Sequence, residues 1–147
     1  MITGCCLCGS VQYELRGDPI NTVMCFCNNC RKSTGSIGMA NSWYSKKASA
    51  TPSFVGAFKI TKGAGALRTY KDHATDSGGT VERSFCSNCG SPMIAENRSK
   101  FPDAVIVTYG TMELETGKMW KPELEFFCKR KADWLETPVE TVKFHEL

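Results

Sequence analysis

The sequence predicts an all-β domain built of short antiparallel strands. Three observations carry that expectation. Brief segments alternate apolar and polar residues, glycine and polar turns divide them, and no long segment keeps a helical period. The 147 residues match the usual length of one domain, so residues 1–147 are expected to form a single unit. A hydrophobic fraction of 41% with 22% charged residues fits an ordinary soluble domain and excludes a disordered chain or a coiled coil. The longest aliphatic run, Ala104-Val105-Ile106-Val107, falls far short of the ~20 residues of a membrane span. No basic segment leads into an apolar one at the start, so a cytoplasmic protein is expected.

Each element follows from a local pattern. Residues 11–15, Val-Gln-Tyr-Glu-Leu, alternate as a half-buried strand does, and Arg16-Gly17-Asp18-Pro19 breaks them. Residues 22–25 read as a second strand running into cysteines. Further strands are expected at 38–44, 54–60, 67–70, 81–85, 93–96, 105–109 and 124–128. Short helical turns are expected at 29–33 and 111–114. The polar stretch 72–80, with Gly78-Gly79, reads as a mobile loop.

Cysteine departs most from ordinary composition. The nine residues are Cys5, Cys6, Cys8, Cys25, Cys27, Cys30, Cys86, Cys89 and Cys128. Clustered cysteines, odd in number, in a chain that needs no disulfides point to metal or to chemistry. A Cys-x-Cys on extended backbone puts both sulfurs on one face, because side chains alternate. The glycines after Cys8 and Cys89 permit the left-handed residue of a tight turn. Zinc takes four ligands in a tetrahedron, so two such pairs make one closed site. Spacing leaves the pairing open. Cys27/Cys30 with Cys86/Cys89 would resemble a ribbon, but residues 31–85 separate them, against roughly 15–20 in zinc ribbons. Cys6/Cys8 with Cys86/Cys89 is equally allowed, and would leave Cys25, Cys27 and Cys30 as three ligands with an open fourth position, the mark of a catalytic zinc. The plainer alternative is that every cluster is structural.

Three segments resemble the glutathione-dependent formaldehyde-activating enzyme family, which includes relatives of centromere protein V. They are Gly4-Cys5-Cys6-Leu7-Cys8-Gly9-Ser10, Cys25-Phe26-Cys27-Asn28-Asn29-Cys30-Arg31, and Glu82-Arg83-Ser84-Phe85-Cys86-Ser87-Asn88-Cys89-Gly90. Val107-Thr108-Tyr109-Gly110 and Trp134-Leu135 fall where the family has a strand ending in glycine and a closing tryptophan. The resemblance implies a small zinc-binding β-barrel or β-tent (Mss4-like). It assigns Cys6, Cys8, Cys86 and Cys89 to a structural zinc, and Cys25, Cys27 and Cys30 to a second, catalytic zinc. It implies a carbon–sulfur lyase that forms or cleaves a thiol–aldehyde adduct of the S-hydroxymethylglutathione type. The alternative is a zinc-stabilised β-domain that binds a partner without turnover. A dithiol redox role for Cys27/Cys30 is a third reading. The family commonly has histidine where Phe26 stands, and often a late histidine near Glu125.

A zinc with three thiolates is expected to activate a small-molecule thiol such as glutathione. Arg83, on the strand entering Cys86, is the expected contact for its carboxylates, whereas Lys32 and Arg68 read as solvated. His73 is expected to be exposed and His145 frayed. Trp43, Trp120 and Trp134 read as core, Lys129-Arg130-Lys131 as a solvated edge, and the Asn97-Arg98-Ser99 sequon as unused. The charge of +3 is too mild to argue for nucleic acid, and seven thiolates with two zinc ions would bring it to zero. No membrane partner is expected, and the sequence leaves the oligomeric state open.

Overall fold

The computed structural model describes residues 1–47, 56–115 and 119–147. Within them the chain forms twelve strands and one short α-helix. The strands are β1 Ile2–Cys5, β2 Gln12–Leu15, β3 Asn21–Cys25, β4 Met39–Ser45, β5 Phe58–Lys62, β6 Leu67–Asp72, β7 Val81–Cys86, β8 Pro92–Glu96, β9 Ala104–Thr108, β10 Met112–Glu113, β11 Leu124–Phe126 and β12 Val142–Lys143; α1 is Asn28–Thr34. The mostly β architecture agrees with the sequence reading. The strand expected at 54–60 begins at Phe58, its first two residues lying outside the described residues. Residues 109–111 form a 3-10 turn and 112–113 a strand, where one helical turn was expected over 111–114.

Two sheets result. One has the order β10-β1-β2-β5 and the other β12-β11-β3-β4-β9-β8-β7-β6. Neither closes, because a barrel needs its first and last strands to pair, and among the described residues the end strands β12, β6, β10 and β5 pair only with β11, β7, β1 and β2. Of the expected barrel or tent, the closed barrel is thus not the form taken: the small β fold consists of two open sheets. The pairing is not uniformly antiparallel either: β11 runs parallel to both β3 and β12.

The large sheet uses its two faces differently. Tyr44, Val105 and Val107 point from one face onto Tyr13 and Leu15 of the small sheet, forming the main core. Alternation sends their neighbours to the other face. There the register aligns Trp43 with Ile106, Ile106 with Ala95, and Ala95 with Arg83. Phe126 lies beside Cys25, and Cys25 beside Met39. Burial at this second face comes from α1, loops and the tail, and it carries the second cysteine cluster.

Three local expectations are corrected by packing. Trp134 is 71% exposed, whereas Trp43 lies in the core and Trp120 stacks on Tyr109 at 4.8 Å. The tail is pinned, with Phe127 and Cys128 donating backbone hydrogen bonds to Glu146 and Phe144, and Lys129 donating to the carbonyl of His145. Lys129, Arg130 and Lys131 are paired, with Glu146, Asp76 and Glu125 respectively. No helix among the described residues is long and apolar enough to cross a membrane.

Candidate metal centres

The first cluster forms where two tight turns face each other. Cys6 and Cys8 follow β1, and Cys86 and Cys89 span the turn between β7 and β8. Gly9 and Gly90 adopt φ of 70° and 75°, the left-handed values that glycine tolerates without strain. Their amides donate back to the carbonyls of Cys6 and Cys86 at 2.9 and 2.8 Å. The two turns are tied together by Asn88, which donates to Ser10 Oγ at 3.1 Å, and by Leu7 N, which donates to Ser91 Oγ at 3.0 Å. Val11 N donates to Cys6 Sγ at 3.3 Å. The Ser91 hydroxyl and then the Ser91 backbone amide hold the Cys89 thiol down at about 5.

The four sulfurs lie within 4.8 Å of one another. Cys8 Sγ is 3.6 Å from Cys6 Sγ and 3.8 Å from Cys86 Sγ. A tetrahedron of sulfurs at ~2.3 Å from zinc has an edge of about 3.8 Å, so these separations fit a zinc ion. The residues Cys6, Cys8, Cys86 and Cys89 can hold a metal.

The second cluster, Cys25, Cys27 and Cys30, gathers at the end of β3 and the start of α1, again within 4.8 Å. Cys27 is the N-cap of α1, its sulfur accepting from Cys30 N at 3.2 Å. Hydrogen bonds from the Cys25 and Cys30 thiols, with the Cys30 amide and the Arg83 charge, hold Cys27 down at about 3. Donation to Cys27 and Cys30, with burial, pushes Cys25 far above the ordinary thiol range. Three buried sulfurs so close together resist carrying three negative charges unless a cation joins them, and soft thiolates are the ligands zinc takes. This cluster also fits a metal, with three protein ligands instead of four.

Arg83 stands beside it. Its Nη1 lies 4.0 Å from Cys30 Sγ and its Nε makes a 3.0 Å ion pair with Asp72, both side chains being largely buried. Asn29 joins the network by donating to both Asp72 oxygens and to the carbonyl of Ala74. It also accepts from Asp76 N, while Asp76 caps Asn28 N at 2.9 Å and pairs with Arg130 at 3.1 Å. These bonds fasten 72–80 across α1, so the loop expected to be mobile is anchored. Asp72, Asn29 and Asp76 carried no signal in the sequence, since their partners lie far away along the chain.

A pocket opens beside the three cysteines. Apolar side chains make most of its wall, among them Met39, Trp43, Ala95, Phe101, Ile106 and Phe127. Asn29, Asn41, Thr75, Ser77, Asn97 and Arg83 supply the polar edges. Asn97 of the sequon is buried, its Oδ1 accepting from Ser99 Oγ and Lys100 N.

The other singled-out residues lie elsewhere. Lys32 and Arg68 are exposed, as are both histidines; His73 meets Thr80 Oγ1 at 3.0 Å. Cys5 donates to Glu113 and Cys128 to Glu125, outside both clusters. Phe26 is fully buried, and the Lys131 ammonium sits 5.6 Å from its ring centre. Phe26 is not among the residues lining the pocket. Glu125, equally buried, holds the same lysine at 3.0 Å.

The comparisons with known proteins come to three results. A family model described as "Glutathione-dependent formaldehyde-activating enzyme" matches residues 1–130. None of the curated proteins matches the chain. A crystal structure of a Rhodobacter sphaeroides protein resembles this one with a TM-score of 0.52 and 23% identity, over 79% of this chain and 90% of that one. That likeness shows the fold.

Proposed function

This chain belongs to the glutathione-dependent formaldehyde-activating enzyme family, and from that premise we propose that it is a carbon–sulfur lyase acting on a thiol–aldehyde adduct of the S-hydroxymethylglutathione type. The observation that carries the reading is the convergence of Cys25, Cys27 and Cys30 at a pocket edged by Arg83. Cys6, Cys8, Cys86 and Cys89 would hold a structural zinc, and Cys25, Cys27 and Cys30 an exchangeable one. A zinc bound at the three cysteines supplies a cation that favours the thiolate form of an incoming thiol.

The chain's own residues do the rest. Arg83, set between Asp72 and Cys30, presents a guanidinium where a carboxylate of glutathione can pair with it. Asp72 and Asn29 keep that guanidinium in place. The apolar wall keeps water away from the reacting carbon. In the forward direction sulfur forms a bond to the carbonyl carbon, the π pair moves to oxygen, and oxygen takes up the thiol proton. The reverse step breaks the same carbon–sulfur bond.

Exchange NMR of glutathione with formaldehyde tests this. The zinc-loaded protein is expected to speed interconversion with S-hydroxymethylglutathione at least tenfold, and Cys30→Ser to remove the gain. Two bound zinc ions with no acceleration would instead support the binding module.

A further inference from the structure

Formaldehyde has no side chain to bury, yet the pocket beside Cys25, Cys27 and Cys30 is walled mainly by hydrocarbon. The strand register builds that wall. Trp43, Ile106 and Ala95 stand in one row across β4, β9 and β8, ending at Arg83 on β7. Met39 and Phe127 close the end next to the cysteines, and Phe101 packs edge-on against Trp43 at 4.6 Å. Of the polar side chains at its edge, Asn41 is already satisfied within β4, accepting from Trp43 Nε1 at 2.6 Å and donating to Met39 O. The pocket offers about 70 Å3 beside the cysteines, more than the ~30 Å3 share of a single water. A hydrogen-only carbonyl carbon would leave this wall facing water, and removing apolar surface from water is what tightens binding.

We propose that this pocket receives a short apolar chain on the carbonyl carbon, so that the adduct handled here derives from an aliphatic aldehyde of about three or four carbons. The inference rests on the lyase reading for the reacting atoms. Recognition of the chain rests on the pocket alone. Arg83 marks the charged end of the row, where the thiol's polar body lies, and Trp43 the apolar end, where the chain points.

Linear alkanethiols reproduce the sulfur and carbon skeleton of such an adduct. Their binding to the zinc-loaded protein can be followed at the methyl resonances of Met39 and Ile106. Affinity is expected to rise about fourfold per methylene from ethanethiol to butanethiol. Ala95→Leu, which fills the row, should flatten that rise. Phe101→Ala, which opens a half-buried position, should extend it to hexanethiol. An affinity constant within twofold across the series, or shifts confined to other residues, overturns the proposal. Turnover assays with glutathione and either formaldehyde or butanal separate the two readings. A chain-length rise without turnover of either aldehyde upholds the pocket and rejects the lyase. Turnover of formaldehyde with a flat series upholds the lyase and rejects the aliphatic substrate.

Discussion

Phe26 stands where the family resemblance implies a histidine and Glu125 near where it implies a late one, and both are fully buried. Neither faces the pocket. Glu125 pairs with Lys131 at 3.0 Å and faces Lys143 at 3.9 Å, and its Oε1 has no hydrogen-bond partner among the described residues. The Lys131 ammonium in turn lies near the Phe26 ring. The ion pair is structural, and stranding one partner of a buried pair is costly. Lys131→Met is expected to lower stability by ~3 kcal/mol, read by urea denaturation of the zinc-loaded protein. Adding Glu125→Leu should recover most of that loss, because no buried charge is then left alone. Nothing in the sequence announced this pair. Lys129-Arg130-Lys131 reads as a solvated run until the partners of each side chain are known.

At the scale of elements, α1 joins backbone structure to metal chemistry. Cys27 is both its N-cap and a member of the second cluster, and one sulfur serves both roles. The two can be separated. Serine is a favoured N-cap, so Cys27→Ser should keep the helix start while removing a soft ligand. Cys27→Ala removes the cap as well. With both variants stripped of metal, the alanine form is expected to be ~1 kcal/mol less stable than the serine form, as measured by chemical denaturation in chelator. The helical turn expected over 29–33 is present as α1, Asn28–Thr34, closed by Gly35 in the left-handed conformation. The strand β2 was legible from alternation, whereas β1, over Ile2–Cys5, was not expected. The two-residue strands β10 and β12 were not, since two residues carry no period and exist only through the pairing of β10 with β1 and of β12 with β11.

Across the whole molecule the two clusters do different mechanical work. Cys6 and Cys8 belong to the turn between β1 and β2 of the small sheet, whereas Cys86 and Cys89 belong to the turn joining β7 and β8 of the large one. A metal there links the two sheets at the edge of the main core, where Cys6 and Cys86 are themselves buried. Cys25, Cys27 and Cys30 lie on one strand end and the helix that follows it, so a metal there joins no second sheet. Cys86→Ser is therefore expected to lower the melting temperature by roughly 10 °C, at about 2–4 °C per kcal/mol for a chain somewhat over this size. Cys25→Ser should cost only a few degrees, and calorimetry on zinc-loaded proteins compares them.

The sequence by itself determined the β class and the family, because alternation and three ordered cysteine motifs are local and survive without knowledge of partners. It also marked Arg83 as the cation to watch. Tertiary structure decided the rest. It chose Cys6/Cys8 as the companions of Cys86/Cys89, a choice spacing left open, because long-range pairing sets which turns meet. It left the sheets open, fastened the 72–80 loop through Asn29 and Asp76, and turned Trp134 outward. Above all it assembled the pocket. Trp43, Ile106, Ala95 and Arg83 come from four separate strands, and only the register that hydrogen bonding imposes on those strands sets them in one row beside the cysteines.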